Sequence, residues 1–191
     1  MKLAKPLSLA AVIFAVGATA ALAATITGTS GPDSLVGTKN DDRISARGGN
    51  DRIFGLRGDD VIDAGAGDDK VYGDGTCAAG ARTADYCDAA ETRRDDDDRI
   101  SGGDGDDRLR GGGGADEISG GDGDDRIFGG GGNDRLTGGK GKDQVSGGRG
   151  NDQIDVRGDG TDTVTCGAGT DKVTADENDS VAEDCESVVV R

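Results

Sequence analysis

The chain has 191 residues, and its 38 acidic residues outnumber its 22 basic residues, which gives a formal net charge of −16. It contains 37 glycines but no histidine, which excludes catalytic triads and metal sites that depend on an imidazole. The strong negative charge argues against binding to nucleic acid or to an anionic membrane.

The N-terminal segment has the pattern of a secretory signal peptide. Lys2 and Lys5 precede an apolar stretch from Leu7 to Leu22, and the small-x-small pattern needed for cleavage ends at Ala23. We expect a signal peptide over residues 1–23 and a mature chain of 168 residues with a charge of −18. The alternative is a permanent anchor, for which the apolar run is short. The mature protein is expected to be extracellular, monomeric and free of the membrane.

A nine-residue pattern dominates the rest of the chain. Six gapless copies over residues 102–155 all fit G-G-x-G-x-D-x-U-x, where U is a large aliphatic residue. Weaker copies fill 28–72, 93–101 and 157–174, so that the chain holds fourteen in total, with Val156 as one extra residue. A disordered tail rich in glycine and aspartate would not maintain this period.

Each position of the unit has a physical role. Glycines at positions 1, 2 and 4 permit positive φ and close backbone approach, which predicts a tight turn with inward carbonyls. Positions 7 to 9 are expected to form a strand of about three residues, with the position-8 side chain facing the core. Two units make one coil, so repeat n stacks on repeat n+2 as parallel strands about 4.8 Å apart. Position-5 carboxylates such as Asp124 are expected to point into water.

The unit does not bury enough apolar surface to fold unaided. One aliphatic side chain for every nine ordered residues offsets little of the lost chain entropy, and stacked position-6 aspartates repel one another. A hard divalent cation held between adjacent turns would remove this repulsion and supply the missing free energy.

The block over residues 102–155 resembles the repeats-in-toxin (RTX), or hemolysin-type, calcium-binding repeat, and the resemblance is looser over 28–72 and 93–174. It implies an all-β fold, a parallel β-roll or right-handed β-solenoid. It also implies several Ca²⁺ ions, each between the turns of repeats n and n+2. One turn would give the carbonyls of positions 2 and 4, the next turn those of positions 1 and 3, and both turns their aspartate at position 6.

Mapped onto this chain, the resemblance implies four complete sites. Their carboxylate pairs are Asp107/Asp125, Asp116/Asp134, Asp125/Asp143 and Asp134/Asp152. The backbone carbonyls implied as ligands are those of Gly103, Gly105, Gly112, Gly114, Gly120, Gly121, Asp122, Gly123, Gly129, Gly130, Gly131, Gly132, Gly138, Lys140, Gly147 and Arg149. Weaker candidate ligands are Asp33, Asp42, Asp51, Asp60, Asp69, Asp98, Asp162 and Asp171. Substituted glycines in the early turns are expected to tighten or fill those turns without metal.

The four cysteines lie outside the strict block. Cys77 and Cys87 fall in an interruption of the period over residues 73–92, whereas Cys166 and Cys185 flank the last repeat and the C-terminal segment. Three pairings exist, and the local one, Cys77–Cys87 with Cys166–Cys185, requires the least rearrangement of a linear solenoid. A zinc site is the alternative, although the chain offers no CxxC motif or histidine.

The domain organisation follows from these features. We expect a signal peptide over 1–23, degenerate repeats over 24–72, a disulfide-linked insertion over 73–92, the roll over 93–174 and a C-terminal cap over 175–191. Asp179-Ser180-Val181 echoes the Asp-x-aliphatic unit, and Val188–Val190 could pair as a final strand that covers the open sheet edge.

Because the repeats occupy nearly the whole mature chain, we expect a secreted, non-enzymatic calcium-binding module. The alternatives are a cell-surface or polysaccharide-binding module of the adhesin type, or a carboxylate-based hydrolase. An ice-binding face would need a regular Thr/Asn row along the turns, which positions 3 and 5 do not provide. Position 7 is often basic, which indicates either local neutralisation of aspartates or a stripe for an anionic partner; the first is favoured.

Overall fold

The computed structural model describes residues 12–14, 23–77, 87–88 and 96–191. Most of the predicted signal peptide and most of the predicted insertion lie outside these residues. The regular structure of the described residues consists of β-strands. No helix in this part of the chain has the length and apolar character needed to cross a membrane.

Two nine-stranded parallel sheets form the body of the protein. Sheet A contains, in spatial order, β1 (Val12–Phe14), β3 (Ser34–Val36), β5 (Arg52–Leu56), β7 (Lys70–Asp74), β11 (Arg108–Gly113), β13 (Arg126–Gly131), β15 (Gln144–Arg149), β17 (Thr163–Ala168) and β19 (Ser180–Val181). Sheet B contains β2 (Thr25–Thr27), β4 (Arg43–Ser45), β6 (Val61–Ala66), β10 (Arg99–Asp104), β12 (Glu117–Asp122), β14 (Arg135–Lys140), β16 (Gln153–Asp155), β18 (Lys172–Ala175) and β20 (Ser187–Val190). A separate antiparallel pair joins β8 (Thr76–Cys77) to β9 (Cys87–Asp88).

Consecutive repeats alternate between the two sheets, so each strand pairs with the strand two repeats further along. Leu109 lies opposite Ile127 in sheet A, and Ile118 lies opposite Leu136 in sheet B. This register confirms the predicted β-roll. Strands in the strict block have six residues, as in Arg108–Gly113, rather than about three, because the first glycines of the following repeat also pair across the sheet.

The core is one cluster of aliphatic side chains between the sheets, to which both sheets contribute. Its position-8 members are each at most 3 % exposed, and they are Leu35, Ile44, Ile53, Ile62, Val71, Ile100, Leu109, Ile118, Ile127, Leu136, Val145, Ile154, Val164 and Val173. The extra residue Val156 is also fully buried and changes the pairing offset, so that Val145 lies opposite Val164. Position 8 therefore has the core role that the sequence predicts.

The roll continues across the insertion without losing a coil. Ile62 pairs directly with Ile100, and Val71 pairs with Leu109, so the segment between them is bypassed in both sheets. Strand β7 extends through Gly73 and Asp74, two residues that the sequence places in the insertion. Cys77 lies opposite Cys87 in the β8–β9 pair. The disulfide predicted between them concerns side chains outside the described part, and it stays a prediction.

The C-terminal segment closes the end of the roll. Val181 pairs with Val164 in sheet A, and Val188 pairs with Val173 in sheet B, as the valine pattern predicts. The predicted Cys166–Cys185 disulfide is present, with the two Cα atoms 5.2 Å apart. The last open coil is therefore covered by two short strands and held by a covalent bond.

Candidate metal centres along the turns

The position-6 aspartates form two buried rows at the edges of the roll. The first edge holds the turns that precede sheet A strands, with Asp33, Asp51, Asp69, Asp107, Asp125, Asp143 and Asp162. The second edge holds the turns that precede sheet B strands, with Asp42, Asp60, Asp98, Asp116, Asp134, Asp152 and Asp171. All of these side chains are at most 5 % exposed. Burial of so many carboxylates requires compensating contacts.

One oxygen of each carboxylate is used within the protein. The backbone N–H of Asp107 donates to Oδ1 of Asp125 over 2.9 Å, and that of Asp125 donates to Oδ1 of Asp143 over 3.0 Å. On the second edge, Asp116 donates to Asp134 and Asp134 to Asp152, each over 2.9 Å. The structure thus brings together the four carboxylate pairs that the family resemblance implies. We call this arrangement the Oδ1 ladder.

The other oxygen of most of these carboxylates has no hydrogen-bond partner. It is the buried Oδ2 atom of Asp51, Asp60, Asp69, Asp98, Asp107, Asp116, Asp125, Asp134, Asp143, Asp152 and Asp171. A buried carboxylate oxygen without a donor costs free energy, and more so when it is charged. A cation at each turn would remove this cost.

Backbone oxygens lie close to the same points. A Cβ atom added at Gly102 would lie closer than 3.0 Å both to Oδ2 of Asp107 and to the carbonyl oxygen of Gly120. The carboxylate of one turn and the position-1 carbonyl of the facing turn therefore converge beside the position-1 glycine. Any side chain at Gly102 would occupy this space, which explains the glycine.

Two further carbonyls of each turn point toward the facing turn. Gly103 and Gly105 have φ of +117° and +131°. Their carbonyl oxygens would lie closer than 3.0 Å to Cβ atoms added at Gly121 and Gly123. Positions 1, 2 and 4 thus present oxygens between stacked turns, as the resemblance implies.

The position-3 carbonyls have a different environment. The carbonyl oxygen of Asp122 accepts the N–H of Gly105 over 2.7 Å, and that of Lys140 accepts the N–H of Gly123 over 2.8 Å. Gly131 and Arg149 accept equivalent bonds from Gly114 and Gly132. Each of these implied ligands already serves the sheet, because the strands continue to position 3. Only its second lone pair is left for an ion.

The donor set at each turn consists of oxygen atoms alone. In residues 23–77 and 96–191, no group of three or more carboxylate or thiol side chains is arranged to hold a metal ion. An ion between stacked turns would instead use two carboxylates and several backbone carbonyls. This all-oxygen set suits Ca²⁺, which accepts six to eight oxygen ligands in flexible geometry.

Burial raises the pKa values of these carboxyl groups. Desolvation is the largest cause, and neighbouring carboxylates add to it, so that the pKa of Asp125 rises to about 7, that of Asp60 to about 8 and that of Asp98 to about 9. The pKa values of Asp51, Asp107, Asp116 and Asp134 also rise to about 7. Without a cation these groups therefore hold protons near neutral pH, and a bound cation would favour the ionised form.

The first turn of each edge differs from the later ones. Oδ2 of Asp33 accepts the N–H of Thr29 over 2.5 Å and its hydroxyl over 3.1 Å. Oδ2 of Asp42 accepts the N–H of Thr38 over 2.5 Å, while the Thr38 hydroxyl donates to Oδ1 over 3.0 Å. In both turns the backbone N–H of position 2 donates to Oδ2 and the threonine hydroxyl adds a further bond. Position 2 of these turns does not have the positive φ found at position 2 of the strict block.

The C-terminal cap completes both rows. The N–H of Asp162 donates to Oδ1 of Asp179 over 2.9 Å, and the N–H of Asp171 donates to Oε2 of Glu186 over 2.8 Å. Asp179 was suggested by its Asp-x-aliphatic spacing, whereas Glu186 was missed. Its signal is the same spacing with glutamate in place of aspartate, ahead of Val188.

Position 5 carries a second ladder that the sequence analysis missed. Asp124 is exposed as expected, but its Oδ1 accepts the N–H of Lys142 over 2.8 Å. Asp106 accepts the N–H of Asp124 over 2.9 Å in the same way. The recurrence of Asp or Asn at position 5 is the signal that could have revealed it.

Comparison with known proteins gives one finding about these turns. The family model of the RTX calcium-binding nonapeptide repeat matches four times, over residues 27–62, 45–75, 94–127 and 119–154. Together these matches cover more than half of the chain and include most of the position-6 aspartates. A search of curated protein sequences gave no significant match.

Proposed function

The chain belongs to the RTX calcium-binding nonapeptide repeat family, and from this premise we propose that it is an exported module whose folding is driven by Ca²⁺ ions bound between stacked turns. The observation that carries the proposal is the row of buried Oδ2 atoms without hydrogen-bond partners. Each ion would be held by two position-6 carboxylates from repeats n and n+2 and by the carbonyls between them. The strict block would hold ions at all four implied pairs.

Calcium is favoured over other cations by the donor set. Mg²⁺ requires a compact octahedral shell and loses its waters reluctantly, which a row of backbone carbonyls does not accommodate. Zn²⁺ prefers sulfur and nitrogen ligands. Single sites of this kind are expected to be weak, with dissociation constants of about 10⁻⁴ to 10⁻³ M, as in other extracellular modules. Stacking of neighbouring coils would make binding cooperative.

A calcium titration followed by far-UV circular dichroism tests this function. The mature chain should show little β signal in chelator, a cooperative rise in β signal in millimolar Ca²⁺, and a poor response to Mg²⁺. The matched variants are Asp125→Asn and Asp124→Asn, which remove the same charge one residue apart. Because an asparagine at position 124 still accepts the Lys142 N–H, only Asp125→Asn should weaken the response. An unchanged β spectrum in excess chelator, or equal shifts in the two variants, would reject site-specific binding.

Export and the second disulfide are part of the same proposal. The support is the N-terminal sequence pattern and the position of Cys77 opposite Cys87 in a two-stranded ladder. Protein recovered from the culture medium should begin at Ala24, and non-reduced peptide mapping should give Cys77–Cys87 beside Cys166–Cys185. Retention of residues 1–23, or a free thiol at either position, would contradict this part.

We further propose that the module is non-catalytic, because the well-placed carboxylates are assigned to Ca²⁺.

A second candidate function is suggested by the outer face of sheet A. Aromatic and basic side chains form a continuous file there, in which Phe54 lies opposite Tyr72, Tyr72 opposite Arg110 and Arg110 opposite Phe128. Phe54 is buried, whereas Tyr72, Arg110 and Phe128 are partly exposed. The rings of Phe54 and Tyr72 stack at 4.6 Å, and the guanidinium of Arg110 lies 4.8 Å from the Phe128 ring centre. Three exposed basic residues run beside this file: Lys70, Arg108 and Arg126.

This face has the chemistry to bind an acidic polysaccharide. Positions 7 and 9 of the repeats in β5, β7, β11 and β13 carry five basic and three aromatic residues and no acid, although the whole protein is strongly acidic. The acid of β7, Asp74, is buried. On sheet B, by contrast, Arg99 pairs with Glu117 over 3.2 Å. Basic groups would meet the carboxylates of a uronate polymer, and the partly exposed rings of Tyr72 and Phe128 would stack on its sugar rings. The widely spaced charges of such a polymer suit an acidic protein better than those of nucleic acid do.

Affinity electrophoresis in gels containing a polyuronate or a neutral dextran tests this candidate in the presence of Ca²⁺. The double variant Arg108→Ser, Arg126→Ser should lose retardation by the polyuronate. The matched control, Arg99→Ser with Arg135→Ser on sheet B, should keep it. Equal retardation by dextran, or equal loss in the two double variants, would reject a site on sheet A.

A further inference from the structure

Four aspartates of the roll are followed directly by glycine, and they are Asp74, Asp104, Asp122 and Asp159. In an Asp-Gly pair the glycine nitrogen can attack the side-chain carboxyl carbon, because glycine has no Cβ to obstruct the approach. Water leaves and a five-membered succinimide forms. Water then opens the ring at either carbonyl, which gives aspartate or isoaspartate with no net change in mass.

In two of these pairs the sheet holds the attacking nitrogen. The N–H of Gly105 donates to the carbonyl oxygen of Asp122 over 2.7 Å, and the N–H of Gly123 donates to that of Lys140 over 2.8 Å. The carboxylate of Asp122 is held as well, by the Lys140 ammonium at 2.8 Å. Attack at Asp104 or Asp122 therefore requires the local sheet to open first.

The pair before the insertion is held by burial. Asp74 is only 7 % exposed, and its Oδ2 accepts the N–H of Gly113 over 3.0 Å. The N–H of Gly75 donates to the carbonyl oxygen of Leu56 over 3.2 Å. Both reacting groups of this pair are thus occupied.

The fourth pair lies in the last turn of the first edge, over residues 157–162, and it has neither restraint. Asp159 and Gly160 are both exposed. The carbonyl oxygen of Asp159 accepts the N–H of Gly141 from the turn below over 2.9 Å, but the N–H of Gly160 meets no acceptor among the described residues. The reason is that the cap follows, where the Asp176 carbonyl closes a turn of its own.

Stacking nevertheless requires a glycine at this position. Gly160 has φ of +119°, and a Cβ atom added there would lie closer than 3.0 Å to the carbonyl oxygen of Gly141. A larger residue, which would slow the reaction, does not fit. The end of the stack therefore combines a reactive dipeptide with a backbone that is held on one side only.

We propose that Asp159 is a site of spontaneous isoaspartate formation in the folded protein, and that it reacts before the other three aspartates. The proposal goes beyond the calcium-dependent function and needs no bound ion, because it rests on the geometry of the roll. Isoaspartate routes the main chain through the former side chain and adds one backbone atom. Three residues further along, Oδ1 of Asp162 accepts the N–H of Asp143 over 2.8 Å. The extra atom would displace this contact and loosen the C-terminal coil.

Peptide mapping tests the order of reaction, because the tryptic peptides 100–108, 111–126 and 158–172 contain one Asp-Gly pair each. The mature chain is kept for weeks in saturating Ca²⁺ at neutral pH, then reduced, digested and analysed by electron-transfer fragmentation, which locates isoaspartate. Isoaspartate should accumulate at Asp159 about tenfold faster or more than at Asp104 and Asp122.

Equal rates in the three peptides of a chain with β signal, an earlier reaction at Asp104 or Asp122, or no isoaspartate at all would overturn the inference. A chain without β signal in Ca²⁺ and in chelator would overturn the roll on which it rests. A chain with the same β signal in both buffers would instead reject the proposed function alone.

A matched pair of variants tests the consequence. Asp159→Glu keeps the charge and the backbone carbonyl that accepts the Gly141 N–H, but glutamate would have to close a slower six-membered ring. Asp104→Glu is the control and should leave the rate at Asp159 unchanged. After ageing, wild type and Asp104→Glu should unfold at a lower temperature than fresh protein, whereas Asp159→Glu should not. The same shift in all three would show that isoaspartate at Asp159 does not loosen the coil.

Discussion

The two repeats that begin at Gly28 and Gly37 contain the same buried aspartate as the strict block, yet its surroundings are different. In those first repeats the Oδ2 atoms of Asp33 and Asp42 accept hydrogen bonds from threonine at position 2. In the strict block, where position 2 is glycine, the Oδ2 atoms have no donor. The Oδ1 ladder is the same in both regions, as the bond from Asp42 to Asp60 shows.

The comparison teaches that the backbone conformation at position 2 distinguishes the two kinds of turn, because Oδ2 is bare where φ is positive there, at Arg47 and Leu56 as well as at glycine. A carboxylate that is fully hydrogen-bonded can stay ionised and buried without a cation. A carboxylate with one bare oxygen must find a cation or a proton. Thr29 and Thr38 therefore mark turns that are complete by themselves, and the glycine turns are complete only with a ligand.

Removal of calcium should produce the largest difference between these two regions. On chelation, amide hydrogen exchange over residues 102–155 should lose protection almost completely, because every turn there has a bare carboxylate oxygen. Amides next to Asp33 and Asp42 should keep the greater share of their protection. Equal loss of protection in the two regions, measured by mass spectrometry, would show that threonine does not replace the ion.

Neutralising one aspartate in each region should show that Asp125 binds ions whereas Asp42 only accepts hydrogen bonds. Asp125→Asn keeps the acceptor for the Asp107 N–H but removes the charge shared by two proposed ions, so native mass spectrometry should count fewer bound Ca²⁺ ions at saturation. Its folding midpoint should move to a Ca²⁺ concentration about tenfold higher, a loss of about 1.4 kcal/mol. Asp42→Asn should lower stability by about 1–3 kcal/mol through its lost hydrogen bonds and leave the ion count unchanged. The same ion loss in both variants would contradict the assignment.

Rising pH should disfavour folding without calcium and favour calcium-driven folding. The pKa of Asp125 rises from 3.8 in the unfolded chain to about 7 in the metal-free roll. Residual β structure in chelator should therefore be present below about pH 4 and be lost as the pH rises toward about 7, because the folded state binds more protons in that window. With calcium, the midpoint concentration should fall as the pH rises over the same range, since the ion displaces the proton. A calcium midpoint that is constant between about pH 5 and about pH 8 would refute raised carboxyl pKa values.

The smallest expected effect comes from the threonine hydroxyl. Thr38→Val removes the 3.0 Å bond to Asp42 while keeping shape and backbone N–H, so it should cost about 1 kcal/mol in thermal unfolding at every Ca²⁺ concentration. Thr137→Val, on the exposed outer face of sheet B, is the matched control and should be neutral within about 0.5 kcal/mol. A cost that disappears in saturating calcium would mean that this turn also binds an ion.

Much of the fold follows from the period, because each nonapeptide imposes the same local constraints. The alternation of sheets, the core role of position 8 and the pairing of Asp107 with Asp125 all come from stacking identical units. The length of the strands does not follow so simply. The glycines at positions 1 to 3 suggest a turn, but they pair across the sheet, and for this reason the Asp122 carbonyl is occupied by Gly105.

The surroundings of Asp98 could not be predicted in the same way. Gly73 and Asp74 continue the nine-residue phase, but nothing in the sequence indicates that Gly73 lies beside Oδ2 of Asp98, which is 25 residues further along the chain. The position-5 ladder was missed for a related reason. Asp124 belongs to an acidic run whose exposure is evident from the sequence, while its bond to a backbone N–H two repeats away depends on the stacking itself.

The Cys166–Cys185 bond has a consequence for how the molecule assembles. In a stack where each coil contacts only its neighbours, order spreads from whichever end is already formed. Among the described residues, the C-terminal end has both a covalent link and two strands, β19 and β20, that pair with the last coil. This end can act as a template in low calcium, so growth of the roll should be directional, from the C-terminus toward the N-terminus. The final coil to form would be the one that is synthesised first.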